Sequence, residues 1–230
     1  MALFAIGDLH LSFGHDKPMD VFGEQWEEHY KKIEESWREL ITDDDTVIIA
    51  GDSSWAMHLR DAKEDLAWIA SLPGEKVFVK GNHDYWWSTV AKMKKEYPDF
   101  LFLHNNYVES NGYVLCGSRG WLCPNETKFD DDDRRIYERE AIRMKLSFDA
   151  AKKDGLSTPI VVTHYPPTND KFEESLFTKL FHEYGVKHAI YGHLHDKTGF
   201  AMGIKGEHDG INYHLVSCDY LDFKVIKILE

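Results

Sequence analysis

The sequence predicts an α/β fold in which strands and helices alternate, and two observations carry this prediction. Short apolar runs, typical of strands that are covered on both faces, recur along the chain, and segments with helical periodicity lie between them. With 230 residues, 43% of them hydrophobic, the chain is long enough to bury one sizeable core. We therefore expect a single domain over residues 1–230, without internal repeats or an interdomain linker.

In the N-terminal part, apolar residues between about 20 and 41 recur at three- and four-residue intervals, which predicts an amphipathic helix. Trp26 and Trp37 lie on its apolar face, so we assign both to the core and not to a substrate site. The three aspartates at 43–45 are interpreted as a solvated turn. The other predicted elements here are strands at about 2–6, 46–50 and 76–80, a loop over 11–19 and a helix at about 60–71.

In the C-terminal part, residues 121–135 have no clear period, which predicts an inserted loop over or beside the functional site. A helix at about 136–153 restores the pattern, and Gly155 suits its C-terminal cap. The remaining predicted elements are helices of about ten residues before Pro98 and near 172–184, and strands near 101–104, 113–117, 159–163, 188–191, 212–217 and 223–228.

Charge and cysteine content limit the possible partners. Twenty-seven Lys and Arg against 40 Asp and Glu give a net charge of −13, which disfavours nucleic acid but allows a small phosphorylated substrate, since bound metal ions can reverse the local charge. The N-terminus shows neither a basic leader nor a long apolar segment, so we expect a cytoplasmic protein without a membrane anchor. The three cysteines lack the spacing of a disulfide framework or a thiolate zinc site. Nothing in the sequence predicts the oligomeric state.

Metal-binding side chains follow five of the predicted strands, at the point where each strand ends. Because ligands bind beyond the carboxyl ends of strands in an open α/β sheet, these side chains can converge on one site. Together they would be costly to desolvate unless metals or protons compensated them. The motifs are Asp8 and His10 in Gly-Asp-Leu-His, Asp52 in Gly-Asp, Asn82, His83 and Asp84 in Gly-Asn-His-Asp, His164 in Thr-His, and His193 and His195 in Gly-His-Leu-His.

Taken together and in this order, the five motifs over residues 5–195 resemble those of the calcineurin-like metallophosphoesterase superfamily. The resemblance implies the arrangement of the fold, a two-sheet β sandwich flanked by helices on both sides, in four layers. It also implies two metal ions, one held by Asp8, His10, Asp52 and His195 and the other by Asp52, Asn82, His164 and His193. The Asp52 carboxylate would bridge the two ions, which dinuclear sites hold roughly 3.5–4 Å apart.

The resemblance also implies the chemistry. The two ions would activate a water, and the resulting hydroxide would attack phosphorus. His83 is expected to contact a phosphate oxygen and to protonate the leaving group, while Asp84 orients its imidazole. Imidazole, carboxylate and amide ligands suit Mn²⁺, Fe or Zn²⁺ without choosing among them, and we take manganese as the first expectation.

Several residues besides His83 are candidates for substrate contacts. Asn82 is expected to contact the substrate in addition to its metal, and Arg119 is a candidate phosphate ligand, with a structural ion pair as the alternative. Four tryptophans lie close to strand ends, and we expect packing for each, although one or two could stack on an aromatic leaving group. They are Trp55, Trp86, Trp87 and Trp121.

The leading hypothesis is a hydrolase that uses two metal ions to cleave a small phosphomonoester or phosphodiester. Protein Ser/Thr phosphatases of the superfamily extend the second motif with a further Asp and an Arg, which the segment from Gly51 to Ala56 lacks, so the resemblance is to small bacterial-type phosphatases and phosphodiesterases. One alternative is a nuclease, against which the net charge of −13 argues. The other is a non-enzymatic metal-binding scaffold, against which the intact ligand set argues.

Overall fold

The computed structural model describes residues 1–230 and shows strands alternating with helices along the chain. The first half contains β1 (Leu3–Ile6), α1 (His29–Leu40), β2 (Thr46–Ile49), α2 (Lys63–Ala70), β3 (Glu75–Val79), α3 (Val90–Glu96), β4 (Phe100–Leu103), β5 (Val108–Ser110) and β6 (Tyr113–Gly117). The second half contains α4 (Asp131–Lys153), β7 (Ile160–Val162), α5 (Leu176–Glu183), β8 (His188–Tyr191), α6 (Asp196–Met202), β9 (Gly206–His208), β10 (Ile211–Leu215) and β11 (Ile226–Leu229).

The strands form two mixed sheets. The first sheet has the order β11-β1-β2-β3-β4, and all its strands are parallel except β11, which pairs antiparallel with β1. The second has the order β5-β6-β7-β8-β10-β9, with antiparallel strands β5 and β9 at its two edges. In both sheets the central parallel strands point their carboxyl ends the same way, which is where α/β proteins place their ligands.

Three apolar cores separate four layers, because side chains alternate between the two faces of each strand. Leu3 and Ala5 of β1 point towards the second sheet and meet Val162 and Ile190 in a core between the sheets. Phe4 and Ile6, on the other face of β1, belong to a core that also contains residues of α1, α2 and α3. A third core joins the second sheet to α4 and α5. The predicted sandwich of two sheets flanked by helices is confirmed.

The helix predicted from residue 20 begins only at His29. Two short 3₁₀ turns, Met19–Phe22 and Glu24–Trp26, precede it, because Gly23 (φ 129°) and Glu28 (φ 47°) adopt backbone angles that a continuous helix excludes. Phe22 is consequently 64% exposed, whereas Trp26 stays buried. The three- and four-residue spacing is real, but only its C-terminal half forms a helix.

Two aspartate-rich segments also differ from prediction. The segment predicted as a loop up to residue 135 enters α4 at Asp131, because Asp130 accepts bonds from the amides of Asp132 and Asp133 as an N-cap and the acidic first turn complements the helix dipole. In the turn at 43–45, Asp45 is buried and not solvated, since its carboxylate accepts hydrogen bonds from the amides of Ala2 and Thr42.

Three short elements were not predicted. β5 has three residues, β9 is exposed at a sheet edge, and α6 buries none of its side chains, so none of them carries an apolar period. None of the helices has the length and unbroken hydrophobicity needed to cross a bilayer.

Candidate metal centre

The candidate site lies where the carboxyl ends of the two sheets meet. Gly7, just after β1, donates its amide to the carbonyl of Val216, just after β10, at 2.7 Å, and pairs with Ser217 as an isolated bridge. This seam brings the loops after β1, β2 and β3 of the first sheet against the loops after β7 and β8 of the second. All seven predicted metal ligands lie on these five loops.

Several ligands occupy the left-handed region of backbone space. The φ angles are 58° for Asp8, 46° for His10, 49° for Asp52 and 72° for His193, a conformation that costs free energy in residues with a side chain and that clusters at functional sites. Neighbouring loops hold it in place, since the Asp8 amide donates to the carbonyl of Gly51 and the His10 amide to that of Asp52, both at 2.9 Å. The backbone therefore positions these side chains before any ion binds.

One group of ligand atoms converges on His164 Nε2. Asn82 Oδ1 lies 2.8 Å from it, His193 Nδ1 3.2 Å and Asp52 Oδ2 3.3 Å. The other ring nitrogen, Nδ1, donates to the carbonyl of Ala50 at 2.9 Å, which orients the ring and turns Nε2 towards the other three atoms. These four residues are the set predicted for one of the two ions.

A second group contains Asp8, His10 and His195, whose ligand atoms all lie within 4.8 Å of one another. Asp8 Oδ1 is 3.6 Å from His195 Nε2, and His10 Nε2 is 4.0 Å from Asp52 Oδ2. The same Asp52 oxygen thus faces a histidine of each group, which is the position a bridging carboxylate needs. Asp8 Oδ1 is also 3.9 Å from His164 Nδ1, so the two groups adjoin.

The donor set fits cations. The Asp8 and Asp52 carboxylates are almost fully buried, and Asp8 Oδ1 has no donor within hydrogen-bond distance, so two carboxylates are withdrawn from water in this site. Burial acts to raise the pKa of both carboxyls, but the nearby His195 and His164 rings hold both pKa values below the usual range. Oxygen and imidazole ligands without thiolate suit Mn²⁺, Fe or Zn²⁺.

The four histidines of the site fall into two groups, because their different neighbours shift their pKa values in opposite directions. Burial lowers the pKa of His10 to about 4 and that of His193 to about 3, so both are neutral ligands. Burial opposes the charge on His164 and His195 as well, but Asp52 raises the pKa of His164 to about 9, and Asp219 together with Asp8 raises that of His195 to about 10. In the protein alone, protons on these two rings balance the carboxylates.

Asp219 is a residue that the sequence analysis missed. Its Oδ1 accepts a hydrogen bond at 3.0 Å from His195 Nδ1, which turns the Nε2 atom of that ring towards Asp8. Metal-binding histidines commonly donate their second nitrogen to a carboxylate in this way. The sequence did indicate Asp219, because this residue follows the apolar strand β10 in the way that the predicted ligands follow their strands. It was overlooked because the recognised motifs end at His195.

The sequence analysis predicted that Asp84 orients the His83 imidazole, but the Asp84 carboxylate makes no hydrogen bond to that ring. Its buried carboxylate accepts five hydrogen bonds from other donors: the amides of Asp52, Ser53 and Gly81, the Ser53 hydroxyl and the Trp86 indole, at 2.7–2.9 Å. Burial and the nearby Asp52 charge raise the pKa of Asp84. Asp84 therefore ties the loop after β2 to the loop after β3, and it acts on the ligand Asp52 through the backbone.

The His83 side chain is placed in the cleft beside the ligands. Its ring centroid lies 4.6 Å from that of Trp55 and 5.8 Å from that of His10, and its amide donates to Asp52 Oδ1 at 2.7 Å. The cleft has a volume of about 660 Å³, and His83 lines it together with Asp52, His193 and His195. Apolar and aromatic side chains form the outer part of the same cleft: Met19, Phe22, Trp26, Trp55 and Phe200.

Two further predictions concern residues around the cleft. Arg119 does not line it; its guanidinium lies 3.8 Å from Glu140 and stacks 4.5 Å from the Trp121 ring, in a separate recess. Of the four tryptophans, Trp55 lines the cleft and stacks on His10 at 4.8 Å, whereas Trp86 is buried in the core. Trp26, assigned to the core, is buried but also contributes to the cleft wall.

Comparisons with known proteins agree with this geometry. A family model described as calcineurin-like phosphoesterase matches residues 1–197. The Gene 66 protein of Mycobacterium phage L5 is 26% identical over 190 residues, covering 82% of this chain and 74% of that protein, and the Gene 66 protein of Mycobacterium phage D29 is 24% identical over 191 residues, covering 83% and 76%.

Solved structures share the fold. The phosphopantetheinyl hydrolase from Mycobacterium tuberculosis matches with a TM-score of 0.56 and 16% identity over 99% of this chain and 95% of that one. A protein of unknown function from Aquifex aeolicus matches with a TM-score of 0.55 and 19% identity, covering 98% and 95%.

Proposed function

Because the chain belongs to the calcineurin-like phosphoesterase family and is therefore a metal-dependent phosphoesterase, we propose that it hydrolyses small phosphomonoesters or phosphodiesters at a dinuclear centre. The observation that carries this proposal is the position of Asp52 Oδ2 between two groups of ligand atoms, 3.3 Å from His164 Nε2 and 4.0 Å from His10 Nε2. A carboxylate shared in this way suits a pair of cations.

The ligand assignment follows the two groups. Asp8, His10, Asp52 and His195 would hold one ion, and Asp52, Asn82, His164 and His193 the other. Such a pair of ions supplies Lewis acidity, which lowers the pKa of water and neutralises phosphate charge. Manganese remains our first choice, with iron and zinc as alternatives for the same donor set.

Two side chains of the cleft would act on the substrate directly. The His83 imidazole forms no hydrogen bond within the protein, so it is free to donate to a phosphate oxygen or to the leaving-group oxygen as a general acid. Asn82 directs Oδ1 towards His164, which leaves its amide N–H groups as donors to the phosphate. Asp84 supports both by holding the loop after β3, and it does not take part in proton transfer.

The outer cleft indicates the kind of leaving group. Trp55 and Trp26 present aromatic surface next to the ligands, and Phe22 and Phe200 extend it outwards. An apolar or aromatic group attached to the phosphate would bury surface there, and a volume of about 660 Å³ suits a drug-sized molecule. Lys197 is the one Lys or Arg among the residues that line the cleft, which disfavours a long polyanion and hence the nuclease alternative.

The test compares metal-stripped protein before and after Mn²⁺ addition, on an aryl phosphomonoester and the matching phosphodiester. We expect cleavage to appear with the ion and to fall about 10²–10⁴-fold in His83→Gln, because one general acid is worth that much, while the variant keeps its bound metal. His182→Gln, at a surface histidine of α5 outside the cleft, is the matched control. Ion-independent cleavage, or a His83→Gln variant as active as the control, contradicts the proposal.

A further inference from the structure

A second recess, apart from the metal cleft, is lined by basic side chains. It has a volume of about 620 Å³ and shares no lining residue with the cleft. Its charged residues are Lys80, Arg119, Arg139 and Arg143, and His104 lies beside them. In a chain whose net charge is −13, four cations around one concavity are a marked local excess of positive charge.

The protein supplies too few acceptors to balance these cations. The buried carboxylate of Glu140 is the one acidic group that pairs with them; its Oε1 lies 2.7 Å from Arg143 and 3.8 Å from both Arg119 and Arg139. Lys80 forms neither a hydrogen bond nor an ion pair. Three guanidinium groups therefore share one carboxylate, and the ammonium has none.

Two buried N–H donors of the recess are also without acceptors. Arg119 Nε and Trp87 Nε1 are both shielded from solvent and unpartnered, although buried donors are almost always satisfied. An anion in the recess would compensate the charge of the cations that line it.

We propose that this recess binds a small phosphate-type anion outside the metal centre. Guanidinium groups match a tetrahedral oxyanion with paired donors, and a lysine adds a point charge, so the set of side chains suits phosphate better than a single carboxylate. A recess of about 620 Å³ is too small for a polymer, and the net charge of −13 disfavours binding of a long polyanion.

The recess adjoins the back of the metal centre. The carbonyl of Arg119 accepts from the amide of His164 at 2.9 Å. On the side-chain side, Trp121 contacts the Arg119 guanidinium, the Trp121 ring lies 4.9 Å from that of Tyr165, and the Tyr165 ring lies 4.0 Å from that of His193. A second phosphoryl group of the substrate or a free anion would have the same chemistry here.

The decisive measurement counts phosphate on the metal-loaded protein by equilibrium dialysis with radiolabelled inorganic phosphate. Lys80→Gln and Arg139→Gln should each weaken the recess site by about tenfold or more, because a charge-assisted hydrogen bond is lost. At a phosphate concentration equal to the wild-type Kd of the recess, its occupancy should therefore fall from about 0.5 to about 0.1 phosphate per chain in each variant. Arg60→Gln, at an 82% exposed arginine outside the recess, should equal the wild type.

Equal phosphate numbers in Lys80→Gln, Arg139→Gln and the wild type, with unchanged circular dichroism, overturn the proposal. Phosphate held at the metal centre is common to all four proteins and cancels in the comparison, so this result is independent of the proposed hydrolysis. A second experiment distinguishes a phosphoryl group of the substrate from a free anion. It compares the KM values of two aryl phosphates, one of which carries a second, remote phosphate. A KM advantage of the second phosphate that disappears in Lys80→Gln assigns the recess to the substrate; equal KM values assign it to a free anion.

Discussion

The two sheets contribute unlike halves to the metal centre. Of the proposed ligands, the first sheet supplies every oxygen ligand and one imidazole, from Asp8, His10, Asp52 and Asn82, whereas the second supplies only imidazoles, from His164, His193 and His195. The first half is placed mainly by its backbone, through left-handed φ angles and the five hydrogen bonds of Asp84. The second is oriented by single acceptors, such as Asp219 for His195. Damage to the first half should therefore affect folding, and damage to the second should affect ion binding.

The largest loss of activity is expected from a substitution at Asp52, whose carboxylate faces both groups of ligand atoms. Asp52→Asn removes the charge of the shared oxygen, and we expect kcat/KM to fall at least about a thousandfold, since several kcal/mol of transition-state stabilisation are lost. Metal content, measured by plasma emission, should fall below that of the control Asp44→Asn, an exposed aspartate in a turn. Near-normal turnover in Asp52→Asn would remove the basis for a shared ligand.

A comparison of Asp84→Ala with His193→Ala tests whether the halves differ in stability. Asp84→Ala leaves five donors without their acceptor and should lower the free energy of unfolding by about 3–5 kcal/mol, even without metal. His193→Ala removes a half-buried imidazole and should cost the metal-free protein less than about 1 kcal/mol. Urea unfolding of both variants in chelator measures the difference, and equal losses would mean that both halves are placed in the same way.

Asp219→Asn should weaken ion binding without unfolding the protein. The neutral amide keeps the shape of Asp219 but loses the charge that orients His195, which typically lowers metal affinity about 10–100-fold. Isothermal titration with Mn²⁺ measures the affinity, and Asp170→Asn, at an exposed aspartate, is the control. An affinity equal to that of the control would show that the His195 ring is held by its surroundings and not by this carboxylate.

The smallest expected effect is the number of protons released when metal ions bind. At pH 7 the pKa values of about 9 for His164 and about 10 for His195 mean that both rings are protonated in the metal-free protein. His10 and His193, with pKa values of about 4 and 3, are not. Ions must displace the two protons, so filling the centre should release about two protons per chain, and affinity should fall as the pH is lowered. Titrations in buffers of different ionisation enthalpy give the count, and no release would contradict this charge assignment.

The fold was predicted correctly, and the seven predicted ligands lie together in the structure, because both depend on local patterns. Each ligand follows an apolar strand directly, and a strand end marks its position without knowledge of tertiary contacts. Asp84 was misassigned for the opposite reason: it is adjacent to His83 in sequence, but its acceptors face the loop after β2, which lies about 30 residues away in the chain. Adjacency in sequence does not determine where a short carboxylate points.

The same limit explains the errors in the helices. The three- and four-residue spacing between about 20 and 41 spans residues that the backbone angles of Gly23 and Glu28 divide into separate turns, and periodicity does not report such breaks. The start of α4 was missed because its aspartates suggested a solvated loop, although an N-cap followed by acidic residues is a helix start signal. The basic recess combines residues from distant parts of the chain, so no motif indicates it.

Because the site lies between the two sheets, its residues are synthesised at different times. A ribosome adds about 5–20 residues per second, so several seconds separate the synthesis of Asn82 from that of His164. During this interval the nascent chain carries all the oxygen ligands of the centre but only one of its imidazoles. At the proposed centre, neither ion could acquire its full ligand set until the second sheet has been made and has docked. Metal capture there would be a late event in the biogenesis of this protein, and the acidic loops would fold first without it.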